Sequence, residues 1–176
     1  MKFKLVPPAP DSLDFVRQAQ QAVPLVPGSE DDCCARLLRR TGLPARDDAR
    51  TWLTFLRALE LATETDAGFK RLSQEPTPEQ LRDAFVRRVF GVEELLATLR
   101  EAEDPITTEE AFARLRERVP QWEHYKNPTE WKDIWQERTG DLLDWLVLLN
   151  AAVETDEGYR LVADPVGGGE QTGVDS

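Results

Sequence analysis

Three arginines are spaced so that their side chains fall on one face of a predicted helix. At about 100° of rotation per residue, Arg46, Arg50 and Arg57 lie within about 40° of one another. Trp52 lies on the opposite side of this helix, and Thr54 lies beside the arginines. Guanidinium groups bind phosphate oxygens and the acceptor edge of guanine. The stripe therefore predicts contact with nucleic acid, and the alternative is a solvated helix face on which arginine is the favoured base.

Groups that could catalyse a reaction or bind a metal are few. Cys33 and Cys34 are adjacent, so on a helix they point about 100° apart and do not form an ordinary disulfide. Together with the single His124 they provide no zinc-ligand spacing. The sequence also lacks a glycine-rich phosphate loop, a nucleophile elbow and a paired-histidine zinc motif. We therefore expect no enzymatic activity, no metal and no cofactor.

An internal repeat organises the chain that must position these residues. Residues 63–70 (TETDAGFK) match 153–160 (VETDEGYR) at an offset of 90, and 29–37 align with 107–115 at an offset of 78. The second copy therefore carries about 12 extra residues, an insertion near 121–132. Two copies of this length indicate a duplicated small domain.

Each copy predicts the same order of elements. Helices are predicted over 12–22, from Ser29 onwards and over 45–61 in the first copy, where Ser29 is an N-cap. The second copy predicts helices over 92–102 and after a capping box that begins at Thr107. In both copies a short hairpin with an Asp-x-Gly turn follows the third helix. A further helix is predicted over 78–90, capped by Thr77, which either bridges the two copies or extends the first helix of the second copy.

This order of helix, short strand, helix, turn, helix and hairpin resembles a winged helix-turn-helix. Residues 59–69 and 149–159 resemble the passage from the third helix to the wing in archaeal and bacterial regulators of this kind. The composition of the chain is similar to that of haloarchaeal proteins. The resemblance implies a mostly α fold with small β-hairpins, an α+β class with two winged-helix domains in tandem. We predict domains over 10–75 and 76–163, followed by a disordered tail over 164–176 that is rich in glycine.

The same resemblance implies roles for the basic residues of the first domain. The stripe with Thr54 becomes the recognition helix of a transcription regulator, and four flanking bases contact the backbone of double-stranded DNA. These bases are Arg39, Arg40, Lys70 and Arg71. A two-fold dimer would place its half-sites about one helical turn of DNA, or a multiple of it, apart.

Charge supports this division of roles. The 176 residues include 33 acids and 22 bases, for a net charge of −11. Residues 1–75 hold 11 of each and are neutral, so residues 76–176 carry the whole excess. Residues 36–59 have a net charge of +4, whereas their counterpart, 114–149, has −1.

The bases are 17 arginines and only 5 lysines, which resembles the composition of halophilic proteins. At about 1 M salt the Debye length is about 3 Å, so excess acid costs little in self-repulsion. The alternative is an acidic protein that avoids nucleic acid. No apolar run approaches the ~18 residues of a membrane span, and the first residues lack a secretory signal, so we expect a cytoplasmic protein.

The second domain predicts a protein contact. In the second copy, the residues that correspond to the three arginines are Gln136, Gly140 and Val147. Leu143 and Val147 are expected to be apolar and exposed, as in a dimer interface or a contact with another protein. In the alternative, a helix ends and another begins at 139–141, which turns Leu143 inward. Within the insertion, Trp122 and Tyr125 either close the core or form an exposed hot spot. A tandem winged-helix adaptor that binds only protein is therefore the competing function.

Overall fold

A computed structural model describes residues 2–73, 75, 77–126 and 128–162. The chain divides into two compact units, Met1–Phe90 and Gly91–Ser176, here called the N-terminal and C-terminal units. Each unit is mostly helical and carries one small antiparallel hairpin, so the predicted fold class is confirmed. The predicted disordered tail, 164–176, lies outside the described residues.

The N-terminal unit contains four helices and one hairpin within the described residues. They are α1 (Leu13–Ala22), α2 (Glu30–Thr41), α3 (Arg46–Ala58), β1 (Ala62–Thr65), β2 (Gly68–Arg71) and α4 (Pro78–Arg88). Side-chain caps set the helix starts: Ser12, Ser29 and Thr77 accept a backbone N–H in the first turns of α1, α2 and α4. Helix α3 ends three residues before the predicted limit of 61, because Glu60 adopts a left-handed backbone with φ 64°.

The C-terminal unit repeats this order and adds one short helix. Its elements are α5 (Val92–Glu101), α6 (Thr108–Leu115), a 3₁₀ turn (Arg116–Arg118), α7 (Gln121–Lys126), α8 (Trp131–Leu148), β3 (Ala152–Thr155) and β4 (Gly158–Leu161). The predicted capping box is confirmed: Thr107 Oγ1 accepts from Glu110 N at 3.1 Å, and Thr107 N donates to Glu110 Oε1 at 2.8 Å. Helix α7 and the start of α8 occupy the insertion.

The two hairpins have the same register and the same third partner. Ala62 pairs with Arg71 in the first hairpin, and Ala152 pairs with Leu161 in the second. In each unit the second strand also forms an antiparallel bridge to the segment between the first two helices, Phe69 to Gly28 and Tyr159 to Ile106. This bridge ties the wing to the chain that precedes the second helix.

Aromatic and aliphatic side chains fill each core. In the N-terminal unit Phe55 of α3 meets Phe85 of α4 with ring centroids 6.1 Å apart, so α4 belongs to this core. The N-terminal segment is bonded to the end of α4 and the residues after it. Phe3 N donates to Arg88 O and Phe90 N donates to Phe3 O, both at 2.7 Å. The compact unit thus reaches Phe90, while the domain limits at 75 and 76 stay a prediction.

Helix α8 corrects the expected exposure of Leu143. The helix runs without a break through Gly140, and within it the Thr139 hydroxyl donates to Trp135 O at 2.7 Å. The alternative helix end at 139–141 is therefore wrong. Leu143 is fully buried, as is Leu53 at the equivalent position of α3, because the buried arc of each helix is wider than the predicted stripe. Val147 is half-buried.

Two glycines allow the wings to approach the backbone that precedes the second helix. Gly68 has φ 131° and Gly158 has φ 139°, and a Cβ at either position would overlap a carbonyl oxygen, that of Gly28 or that of Ile106. We expect Gly68→Ala and Gly158→Ala each to lower the free energy of unfolding by about 2 kcal/mol or more, measured by denaturant titration.

Gly42→Ala is the matched control. Gly42 also has positive φ, at 75°, but a Cβ there meets no atom within 4 Å. This substitution should cost only about 1 kcal/mol, the penalty of the backbone conformation alone. Equal losses for all three variants would contradict a role for the close approach.

Candidate nucleic-acid interface

The exposed face of α3 carries the predicted arginine stripe. Trp52, Phe55 and Leu56 are buried in the unit's core, which leaves the opposite side of the helix to solvent. The side chains of Arg46 and Arg50 are about half exposed, at 45% and 50%. The side chain of Arg57 is about one third exposed, and Thr54 is half-buried.

Acidic residues of the same unit neutralise the start of this stripe. Arg46 forms an ion pair with Asp31. Arg50 lies 4.0 Å from a Glu30 carboxylate oxygen and 3.7 Å from one of Asp47. Glu30 and Asp31 occupy the first turn of α2, where the helix dipole favours negative charge. The packing of α2 against α3 therefore places acids beside the arginines, which the charge of α3 alone does not indicate.

Arg57 is held at the other end of α3. Its guanidinium lies 3.4 Å from a Glu64 carboxylate oxygen on β1. The guanidinium carbon also lies 5.7 Å from the ring centroid of Phe3 and 5.8 Å from that of Phe69. Arg57 therefore contacts the base of the wing, apart from the ion pairs of Arg46 and Arg50 at the start of the helix.

A second basic group surrounds the last turn of α1, which has no basic residue of its own. Arg36 Nε donates to Ala22 O at 2.6 Å, Arg40 donates to Gln21 O at 3.4 Å, and Arg71 donates to the Gln21 side chain. These acceptors are neutral, and no described carboxylate lies within ion-pair distance of the three arginines. Their positive charge is therefore offset by the partial negative charge at the end of α1 and by no described carboxylate.

Sequence reasoning missed Arg36 as a member of this group. Arg36 and Arg40 are spaced i and i+4, which places them on one side of α2. This spacing could have indicated from the sequence that the two arginines act together. The four bases that were predicted to contact the DNA backbone do not all lie together in the structure. Arg40 and Arg71 meet at α1, while Arg39 is exposed next to Arg40 and Lys70 is half-buried on β2 opposite Thr63.

The equivalent face of α8 has the opposite charge. The offset of 90 that relates the hairpins places Gln136, Gly140 and Val147 at the positions of the three arginines. Glu137, Asp141 and Asp144 share this part of α8 and, with Thr108, line a shallow acidic hollow. The matching helix face thus carries arginines in one unit and carboxylates in the other, although the carboxylates do not stand at the positions of the arginines.

Two side chains of this acidic face have perturbed titration. Burial, followed by the charges of Glu137 and Asp144, raises the pKa of Asp141 from 3.8 to about 6. Asp144 accepts a hydrogen bond from the Tyr159 hydroxyl at 2.8 Å. Burial of this phenol and its bond to the carboxylate raise the pKa of Tyr159. Burial is the larger cause of both pKa shifts, and the neighbouring carboxylates of α8 add to it.

The raised pKa of Asp141 predicts that low pH stabilises the C-terminal unit. Because the folded pKa is raised, folding favours the protonated carboxyl, and this contribution disappears as the pH rises from about 4 to about 6. After allowance for solvent screening, Asp141→Asn should raise the free energy of unfolding at pH 7 by about 1 kcal/mol. It should leave the value at pH 4 nearly unchanged.

Asp133→Asn, an exposed change on the same helix, is the control for that experiment. Thermal unfolding between pH 4 and pH 7 measures both variants against the unaltered chain. An Asp141→Asn effect that is the same at both ends of this range would contradict the assigned titration.

The insertion presents two aromatic side chains to solvent. Trp122 is 50% exposed and Tyr125 is 78% exposed, whereas Trp135 and Trp145 are buried. Of the two alternatives for the insertion, Trp122 and Tyr125 follow the exposed one, while other tryptophans lie in the core. The role of Trp122 and Tyr125 as a hot spot stays a prediction. His124 stacks on Trp131 with centroids 3.7 Å apart and planes at 9°, which fastens α7 to α8.

The cysteines and the metal-ligating side chains of the described residues form no reactive or metal-binding site. Cys33 and Cys34 are fully buried, and burial raises the pKa of both thiols, which disfavours the thiolate. Within the described residues no group of three or more metal-ligating side chains comes together. Within the same residues no helix is long and apolar enough to cross a membrane.

Comparison with known proteins identifies the fold family. A sequence model of the halobacterial double winged helix domain matches residues 1–165. No curated protein and no solved structure matches the chain. The match covers both units and confirms the predicted tandem winged-helix protein of haloarchaeal type. The chain therefore belongs to the family of halobacterial double winged helix domains.

Proposed function

We propose that the N-terminal unit binds double-stranded DNA and that the chain is a transcription regulator. In this proposal Arg46, Arg50 and Thr54 of α3 enter the major groove. Arg57 supports the wing. The contacts to phosphate come from the basic group at α1 and its neighbours, Arg36, Arg39, Arg40, Lys70 and Arg71.

One observation carries the proposal: two faces at equivalent backbone positions differ in charge. The α3 face holds three arginines and Asp47, whereas the α8 face holds three carboxylates and no base at the matching positions. The N-terminal unit holds 14 bases and 13 acids, net +1, and the C-terminal unit holds 8 bases and 20 acids, net −12. An acidic composition that served only solubility would not require this asymmetry between duplicated units.

The ion pairs of Arg46 and Arg50 allow this function. Exposed ion pairs contribute little to stability, so a phosphate or a guanine edge can replace a carboxylate partner at small cost. Released Glu30 and Asp31 then remain close to the nucleic acid and repel its phosphates. Duplex affinity should therefore be limited by α2 as well as supplied by α3.

The triple substitution Arg46→Ala, Arg50→Ala and Arg57→Ala tests the proposal. We expect duplex binding in about 1 M KCl to weaken at least about 100-fold, because the direct contacts of Arg46 and Arg50 and the support that Arg57 gives the wing are lost. Screening by salt removes neither. Selection from a random duplex library, followed by fluorescence anisotropy, supplies the sequence and measures the affinity.

Arg100→Ala, Arg114→Ala and Arg118→Ala form the matched control. These arginines are exposed in the C-terminal unit, and their loss changes the net charge by the same amount. The control should change affinity by less than about threefold, since charges beyond a Debye length are screened. Absence of duplex binding by the unaltered chain, or equal binding by both triple variants, would overturn the proposal.

A second pair of substitutions tests the role of α2. Glu30→Gln with Asp31→Asn removes the α2 partners of Arg46 and Arg50 but leaves Asp47 beside Arg50. It should raise duplex affinity roughly threefold or more, because repulsion of phosphate is relieved. Asp14→Asn with Asp83→Asn removes the partner of Arg17 and one of the two partners of Arg87 instead, and should leave affinity unchanged. If the first pair lowered affinity, these acids would be part of the interface and would not oppose it.

The second candidate function is an adaptor that binds protein alone. The exposed Trp122 and Tyr125 favour it, because aromatic side chains are frequent anchors of protein interfaces. Failure of all duplex binding in the arginine experiment, in a chain that is folded by circular dichroism, would favour the adaptor.

A further inference from the structure

Large hydrophobic side chains are exposed at five of the described positions. They are Leu5 (50%), Leu25 (57%), Val26 (72%), Trp122 (50%) and Tyr125 (78%). Four of them form two local pairs, one in each unit. We call Leu25 with Val26 the loop surface, and Trp122 with Tyr125 and Lys126 the α7 surface.

The loop surface is held rigidly at both ends. Leu25 and Val26 lie between Pro24 and Pro27, whose rings restrict the backbone. Pro24 O accepts from Arg71 N at 2.7 Å, and the segment beyond Pro27 is bonded to the wing through Phe69, with N···O distances of 2.8 Å in both directions. Both apolar side chains are therefore presented to solvent by a fixed backbone and lose little conformational freedom on binding.

The α7 surface is fixed from the opposite side of its helix. Glu123 is 6% exposed and His124 stacks on Trp131, so these two residues face the rest of the unit. Trp122, Tyr125 and Lys126 follow the i, i+3, i+4 spacing of one helix face, and Lys126 Nζ lies 5.6 Å from the Trp122 ring centroid.

The surroundings of the two surfaces have opposite charge. Residues 24–32 contain three acids and no base. Glu30 and Asp31 pair with Arg50 and Arg46, whereas the exposed Asp32 forms no ion pair with a described residue. Residues 114–126 contain four bases and two acids, one of which is the buried Glu123. Apolar groups next to acids in one unit are thus matched by aromatic groups next to bases in the other.

We propose that the α7 surface of one copy docks on the loop surface of a second copy. Trp122 and Tyr125 cover Leu25 and Val26, and Lys126 approaches Asp32 at the rim. A second copy is the occupant because this one chain carries both halves of the complementary contact. At high salt the rim is screened, while the apolar contact persists. The proposal does not depend on DNA binding.

Two variants of the full chain separate this contact from other modes of association. Leu25→Ser with Val26→Ser removes the loop surface and keeps α7, whereas Trp122→Ala with Tyr125→Ala removes the α7 surface and keeps the loop. Sedimentation velocity in about 1 M KCl, over a range of concentrations, measures association. We expect the unaltered chain to associate, and each variant alone to dissociate with a constant raised at least about tenfold.

An equimolar mixture of the two variants should associate again, because each supplies the surface that the other lacks. Leu5→Ser, which removes an exposed leucine outside both surfaces, should associate as the unaltered chain does. A monomeric unaltered chain would overturn the proposal and favour a foreign partner for these surfaces. A mixture that stays monomeric, or a loop variant that still associates alone, would also overturn it.

Cross-linking gives a second readout, because a disulfide forms only where the two surfaces lie close together. The native Cys33 and Cys34 are fully buried, so a cysteine introduced on the surface is the reactive one. Under mild oxidation, a mixture of the Val26→Cys and Tyr125→Cys variants should give a disulfide-linked heterodimer. A Leu5→Cys variant mixed with Tyr125→Cys should not. Equal yields from both mixtures would count against the proposed contact.

Discussion

The close approach of each wing to the backbone before the second helix fixes both halves of this molecule. The bridges from Phe69 to Gly28 and from Tyr159 to Ile106 join the end of each unit to its middle. Because the hairpin also follows the third helix directly, the bridge limits where that helix can lie. A residue with a Cβ at Gly68 or Gly158 would prevent the approach, so a single atom at each position decides whether the third helix and the wing form one surface.

A shared scaffold separates the fold from the chemistry of its surface. Leu53 and Leu143 occupy the same buried position. Arg50 and Gly140, or Thr54 and Asp144, occupy equivalent positions that are exposed or partly exposed. Burial constrains the first pair, because a polar side chain there would lose its hydration. Solvent leaves the second pairs free to change. Duplication therefore gives one chain two copies of the third helix, whose solvent-facing sides can differ completely.

The sequence was sufficient for features that depend on neighbours along the chain. Ser29, Thr77 and Thr107 cap their helices as predicted, and Gly42 ends α2 in a left-handed conformation, because each of these interactions spans only a few residues. The repeat also predicted the duplicated winged-helix fold, since it compares the chain with itself. The exposure of Leu143 was predicted incorrectly, because the width of a buried arc depends on how many elements cover the helix.

Charge on the candidate site was the least predictable property. The stripe of Arg46, Arg50 and Arg57 follows from helical spacing, but its neutralisation by Glu30, Asp31 and Glu64 depends on α2 and β1 in three dimensions. In the same way, Arg36 joins Arg40 and Arg71 only because α1 ends between them. A sum of charges along a segment shows neither the neutralisation of the first group nor the grouping of the second around α1.

Concentrated salt determines which of these charges can act on a partner. With a Debye length of about 3 Å at about 1 M salt, the excess acid of the C-terminal unit is not felt across the chain, and neither is the basic group at α1. Recognition must then come from groups in direct contact, through hydrogen bonds of guanidinium to base or phosphate and through buried apolar area. Net charge is thus a poor guide to binding here, and the local partners of each arginine are the property that decides it.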